Sequence, residues 1–382
     1  MPWLETAPMR ERLKFIGLVL SEMYTMSELC TRSGISRKTG YKWLARYREG
    51  GDSALADRSR RPHFSPYALG EEAAAAIADL RSRRPTWGPR KLLRCLERRR
   101  RELDLPATST VGEFLKRNGF IRPRRKRTVW KHPGRPTSVA TSPNELWAAD
   151  FKGQFRTRDG VYCYPLTVTD QATRYLLRCR GLSSVRTEGA RPVFERLFRE
   201  VGLPSAIRTD NGAPFASTGI HGLCALNVWW IRLGIRHERI EPASPQQNGA
   251  HERMHKTLKA ETTRPPAFDL SRQQKKFDSF RSIYNHERPH EGIGMRAPGA
   301  LWAPSSRPYP KRLPEPAYPG HLQLRLVSNA GCIRFKTRQI FISQALTQDW
   351  IALEETDDGV WAIYFYDLLL AKLDERNFKV YT

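Results

Sequence analysis

The period of the apolar positions changes twice along the chain, and the changes divide it into three regions. Between residues 10 and 48 the spacing is helical and predicts three helices. Ser33, Gly34 and Ile35 form the tight turn, and Ser36 is the N-cap of the third helix, 36–48. On that helix Trp43, Leu44 and Tyr47 supply the packing side. Arg37, Lys38, Thr39 and Lys42 face outward near its start, the division of faces that a DNA-recognition helix needs. A plain trihelical bundle with a solvated basic face is the alternative. A second helical region opens near Gly70, where Glu71 and Glu72 favour a helix N-terminus. It continues through a charged helix containing Arg90 and Lys91 and closes on 111–118, with Gly119 as its C-cap. A second winged or helix-turn-helix module fits this order.

After a proline-bearing basic connector, strands begin to alternate with helices. Strands are predicted over 146–155, 162–169 and 174–180, an amphipathic helix over 186–201, and a short buried strand over 206–209. A helix within 222–233, a strand at 235–240 and helices near 249–261 and 271–285 complete a mixed α/β unit. A second proline-rich connector, 303–320, precedes short alternating segments such as Leu322, Leu324 and Leu326, which predict a small five-stranded β-barrel. The domains expected are therefore 1–62 and 63–130, both all-α, a linker 131–143, an α/β core 144–302, a linker 303–320 and a barrel 321–382.

Charge gives this layout a partner. The 65 Lys and Arg against 39 Asp and Glu leave a formal charge of +26, which favours a polyanion. The surplus is densest between residues 81 and 135, where 19 basic residues face 4 acidic ones. Arg90, Lys91, Arg124, Arg125, Lys126 and Arg127 are the phosphate-contact candidates there. The six cysteines contain no Cys-x-x-Cys pair, which argues against a zinc ribbon and a disulfide framework. The longest early apolar run, 15–20, is too short for a membrane span. The expectation is a cytoplasmic, nucleoid-associated protein without a membrane partner.

Three acids then stand out. Asp150 lies in an apolar strand, where an ionised carboxylate is costly unless a cation compensates it. Asp210 follows the short strand 206–209, and Glu252 lies on the predicted helix near 249–261. Each has a bland reading: an edge-strand residue, a turn, and a surface ion pair with Lys256. Only a folded core could gather them, and gathered they would hold divalent cations. Glu238, Glu241 and Asp170 are rival acids. Positions 252, 255, 256 and 259 share a helix face, which sets His255, Lys256 and Lys259 beside the third acid.

The motifs around these acids are Trp-Ala-Ala-Asp-Phe at 147–151, Arg-Thr-Asp-Asn-Gly-Ala-Pro-Phe at 208–215 and Ser-Pro-Gln-Gln-Asn-Gly-Ala-His-Glu-Arg at 244–253. With Tyr-Asn-His-Glu-Arg-Pro-His at 284–290, they resemble the signatures of the retroviral-integrase core of bacterial insertion-sequence transposases. The resemblance covers about residues 140–302, and the flanks at 54–62 and 331–335 are similar too. It implies an RNase H-like core, with Asp150, Asp210 and Glu252 as catalytic ligands of two Mg²⁺ ions, for which Mn²⁺ can substitute. The interval of 41 residues between Asp210 and Glu252 exceeds the family's usual length, and the excess is expected in 216–226. Basic residues matching Lys256 and Lys259 touch the element end in retroviral-type integrases. The expected activity is cleavage at the ends of a mobile element and transfer of the freed 3′-OH into target DNA. The partners expected are terminal inverted repeats, target DNA and further copies of the chain. A transposase-derived regulator without catalysis and an RNase H-like structure-selective nuclease are the alternatives.

Overall fold

The computed structural model describes residues 8–58, 69–121, 139–217, 219–241 and 249–381. The chain divides into two compact units, 1–68 and 69–382. In the first, α1 (Pro8–Leu20), α2 (Met26–Arg32) and α3 (Arg37–Gly50) pack around Phe15, Ile16, Leu29, Cys30, Trp43, Leu44 and Leu55. Two caps set the angles between them. Thr25 and Glu28 form a reciprocal capping box on α2, and Ser36 accepts from the Thr39 N–H at the start of α3. Gly40 of α3 faces Cys30 and Phe15 so closely that a β-carbon there would clash, which lets the helices cross at the turn.

The second unit opens with α4 (Glu71–Arg83), α5 (Pro89–Arg99) and α6 (Thr108–Arg117), closed around Ile77, Trp87, Leu92, Val111 and Leu115. Among its described residues this module has no strand, so no wing is seen. It meets the core through ion pairs from Arg84 (2.9 Å) and Arg99 (3.1 Å) to Glu287.

The core sheet contains β1 (Leu146–Phe151), β2 (Phe155–Arg156), β3 (Tyr162–Asp170) and β4 (Leu176–Leu182). After α7 (Thr187–Val201) come β5 (Ala206–Thr209), α8 (Ala225–Arg232) and β6 (Arg236–Arg239). One edge of β3 pairs antiparallel with β1 and, further along, with β2, and the other with β4; β1, β5 and β6 run parallel. Alternation along β3 sorts its side chains: Leu166 and Val168 join Trp147, Phe194, Phe198 and Trp230 under α7 and α8. Cys163 joins Met254, Leu258, Phe277 and Phe280 under α9 (Gly249–Thr262) and α10 (Leu270–His286). Each such fully buried large side chain contributes about 1.5–3 kcal/mol. The predicted mixed α/β core is present, with helices on both faces of the sheet.

The C-terminal module differs from its expectation. β7 (Gln323–Leu326), β10 (Trp350–Asp357), β11 (Val360–Phe365), β12 (Leu368–Asp374) and β13 (Lys379–Tyr381) form an open five-stranded sheet. Its edges are β7 and β13, and β8 (Cys332–Phe335) and β9 (Arg338–Phe341) form a separate hairpin. The five-stranded barrel is therefore corrected to an open sheet plus a hairpin. Ile333, Phe335 and Ile340 of the hairpin cover the apolar face that carries Ile351, Leu353, Ile363 and Leu373, so the sheet has no need to close on itself. Leu324 and Leu326 alternate as predicted yet lie exposed. The loop 216–226 is held by Asn227, whose amide donates to the carbonyls of Phe215 (3.1 Å) and Gly222 (3.2 Å). That loop sends Leu223 into the cluster of the C-terminal module, and Val228 of α8 follows it.

Candidate functional site

Register places the first two acids side by side. β1 and β5 pair Leu146 with Ala206 and Ala148 with Arg208, so the same stagger carried two residues on sets Asp150 beside Asp210. Trp147 and Ala149 point to the α7 and α8 side, which leaves Asp150 on the α9 side opposite Thr167. Glu252 stands exposed in the first turn of α9, where the helix dipole favours a negative charge. Asp150 feels the charge of both other acids, although neither Asp210 nor Glu252 joins it in a group of ligand atoms within 4.8 Å of one another. Burial first, then the charge of Asp210 and more weakly that of Glu252, push the Asp150 carboxyl up from 3.8 to about 7. Among the described residues none of the three carboxylates forms an ion pair with Lys or Arg.

Beneath Asp150 lies a polar network. The single Thr167 hydroxyl hydrogen is donated to the Asp150 carbonyl at 3.1 Å. His251 Nε2 at 2.7 Å and His255 Nε2 at 2.6 Å must then both donate to Thr167 Oγ1. His251 Nδ1 accepts from Thr169 at 2.8 Å, and Thr169 accepts from the Gln171 amide at 3.1 Å. This count leaves His255 Nδ1 as a bare lone pair 3.6 Å from Asp150 Oδ2. Burial holds both rings neutral, His251 pushed down to about 3 and His255 to about 2, the latter with help from His251 and Lys152. Asp150, His251 and His255 have ligand atoms within 4.8 Å of one another, yet both nitrogens of His251 are already engaged. Only Asp150 and His255 of that group therefore present free electron pairs to a cation.

The helix face expected to hold 252, 255, 256 and 259 splits. Glu252, Lys256 and Lys259 are exposed, whereas His255 is buried with His251, Met254 and Leu258. Of the rival acids, Glu238 pairs with Arg208 at 3.0 Å and Arg236 at 2.8 Å. Asp170 is fully buried and accepts from the Asn144 N–H and from both Thr173 donors, which builds the turn after β3. Glu241 is exposed just past β6.

Of the predicted DNA contacts, Arg37, Lys38 and Lys42 are exposed on α3. Thr39 is half-buried and bound to the Ser36 hydroxyl at 2.9 Å, so it serves the cap. Arg90 is exposed and Lys91 half-buried on α5. Arg124, Arg125, Lys126 and Arg127 lie outside the described residues, as does most of the 131–143 linker.

Comparison with known proteins gives consistent matches. The chain matches the Integrase core domain over residues 140–245 and again over 233–298. It matches a Helix-turn-helix domain over 11–63 and a Homeodomain-like domain over 39–115. It is 27% identical over 239 residues to the insertion element IS407 31.7 kDa protein of Burkholderia multivorans, which covers 61% of this chain and 81% of that protein. Over 204 residues it is 30% identical to the insertion element IS476 39.2 kDa protein of Xanthomonas euvesicatoria, covering 52% of this chain and 56% of that one. Among solved structures it is similar to a chain of the simian T-cell lymphotropic virus intasome in complex with PP2A regulatory subunit B56 gamma. That match has 17% identity and a TM-score of 0.38, and covers 77% of this chain and 97% of that one. The HTLV-2 integrase catalytic core domain in complex with magnesium matches at 15% identity and a TM-score of 0.33, over 42% and 97% of the two chains.

Proposed function

Starting from a chain that belongs to the bacterial insertion-sequence transposases of the integrase superfamily, we propose that it cuts DNA at the ends of its mobile element and joins the freed 3′-OH to target DNA. The observation that carries this reading is the Asp150 carboxyl, pushed up to about 7 among two further carboxylates and without a Lys or Arg partner. An acidic cluster of that kind suits divalent cations, because oxygen ligands and uncompensated negative charge are what a hard cation takes. Asp150, Asp210 and Glu252 would hold two Mg²⁺ ions, which when bound activate the attacking oxygen and stabilise the leaving one. Mn²⁺ would substitute, and the bare His255 nitrogen beside Asp150 adds a donor that suits it.

The chain's own residues do the positioning. Thr167 holds the Asp150 backbone and both histidines, so the first acid rests on a locked base. Lys256 and Lys259 follow Glu252 at one and two turns of α9, on the exposed side, and would grip the phosphates of the strand being cut. Arg37, Lys38 and Lys42 on α3, and Arg90 on α5, would read and hold the terminal inverted repeats. An element has two ends and each chain carries one acidic cluster, so joining both ends to one target calls for a homo-oligomer on DNA. Mg²⁺-dependent cleavage and joining of oligonucleotides bearing the element ends tests the reading. Cleavage without joining would instead mark a nuclease, and binding without either a regulator.

A further inference from the structure

The signature at 284–290 has no part in the carboxylate cluster, yet its side chains meet a group of cations at the seam between α5 and the core. A cavity of about 210 Å³ opens there, far above the roughly 10–15 Å³ that one water needs. Lys91 reaches it from α5, Arg174 from the turn between β3 and β4, Arg253 from α9 and Arg288 from the segment after α10. Tyr284 and His290 complete that wall.

The acids nearby do not balance these charges. Arg288 holds Glu261 at 3.0 Å, and Glu291 lines the cavity, which sets two acids against four cations. Among the described residues neither Lys91, Arg174 nor Arg253 forms a salt bridge. Arg174 has φ +65°, in the left-handed region that residues with a β-carbon seldom occupy. Burial lowers its guanidinium pKa, and burial followed by the charge of Arg288 pushes the Lys91 ammonium down to about 8. His290 Nε2 is buried with no hydrogen-bond partner among the described residues. Lys91 and Arg174 are half-buried without a salt bridge, the second on strained backbone, and the stability this costs is what an arriving anion would offset.

We propose that this cavity clamps one backbone phosphodiester of the DNA strand that enters the carboxylate site, gripped between the second helical module and the core. The inference rests on the DNA-cutting function proposed above. Position favours a strand phosphate, because Arg253 adjoins Glu252 and Lys91 belongs to a module rich in basic residues. Chemistry agrees: guanidinium forks and an ammonium recognise phosphate oxygens. A base is not the natural occupant, since the Tyr284 ring is already packed edge-on against His290 at 4.5 Å and tilted against Phe280 at 5.5 Å.

The test uses the full chain, without divalent metal, and duplexes bearing the element end with single methylphosphonate substitutions stepped along each strand. The parent is expected to lose roughly threefold to tenfold in affinity at one phosphate near the cleavage position. Lys91→Gln and Arg174→Gln should each bind the unmodified duplex more weakly by a similar factor, show no further loss at that phosphate, and lower the salt slope by about 1. Both should melt at or above the parent's temperature, because each removes an unpaired, half-buried charge. A parental methylphosphonate profile and salt slope in both variants would overturn the clamp while leaving the transposase reading intact. A parent that binds no duplex would overturn that reading and the clamp with it. Inorganic phosphate raising the parent's melting temperature as much as the duplex does would assign the cavity to a free anion and also overturn the proposal.

Discussion

Replacing Asp150 should make the metal-free protein more stable, although it removes the residue at the centre of the site. The carboxyl stands at about 7 against an ordinary 3.8, and each unit is about 1.36 kcal/mol. Ionising it in the folded, metal-free chain therefore costs at most about 4 kcal/mol, a ceiling because buried sites relax and admit water. A raised acid favours the folded state at low pH, so stability should fall as pH climbs from about 4 to about 7 and level off above. Asp150→Asn abolishes that fall, and the new amide can donate to the bare His255 nitrogen 3.6 Å from the replaced oxygen. Urea denaturation of the larger unit with EDTA, followed by the signals of Trp147, Trp229 and Trp230, reads the effect. The variant should match the parent within about 1 kcal/mol at pH 4 and exceed it by about 1–4 kcal/mol at pH 8.5. Millimolar Mg²⁺ should reverse the order at pH 8.5 by stabilising the parent alone. A variant less stable than the parent at pH 8.5 in EDTA, or a difference independent of pH, would refute the reasoning.

Two further outcomes follow from the network and from α9. Thr167→Val keeps the shape but strips the partner from two histidine N–H groups and from the Asp150 carbonyl, so it should cost about 3 kcal/mol; a change within about 0.5 kcal/mol in urea would remove Thr167 from its place as hub. Lys256→Glu alters an exposed helical charge, so the melting temperature should hold within about 2 °C while strand joining drops at least about tenfold; joining at the parental rate would show that Lys256 does not touch DNA.

Much of this site was legible because it is local. The apolar runs that end at Phe151 and Thr209 gave the strands, and the acids beside them fell at adjacent strand ends through register alone. The histidine network was hidden by a change of polarity within a regular pattern. His251, Met254, His255 and Leu258 have the i, i+3, i+4, i+7 spacing of a buried stripe, but two of the four count as polar, and His255 instead reads with Lys256 and Lys259 on the face of the third acid. Their burial depends on Thr167 and Thr169 arriving from β3, a contact between segments more than 80 residues apart. The barrel expectation failed for a similar reason. Alternation in Leu322, Leu324 and Leu326 marks a strand but says nothing of which edge pairs or whether a hairpin covers the face. The cationic cavity draws one cation from each of four separated segments, and no spacing in the sequence joins Lys91 to Arg174.

The central claim is that three acids far apart in sequence form one cation-dependent site for cutting and joining DNA. The direct measurement is cleavage and joining of oligonucleotides carrying the inverted repeats that bracket the coding sequence, with Mg²⁺ or EDTA, alongside gel-shift binding. The parent and Glu241→Gln should cut and join with Mg²⁺ and do neither in EDTA. Asp210→Asn and Glu252→Gln should bind the same DNA yet lose roughly thousandfold in rate, about 4 kcal/mol of transition-state stabilisation. Near-parental cleavage by Glu252→Gln with loss in Glu241→Gln, or cleavage that persists in EDTA, would contradict it.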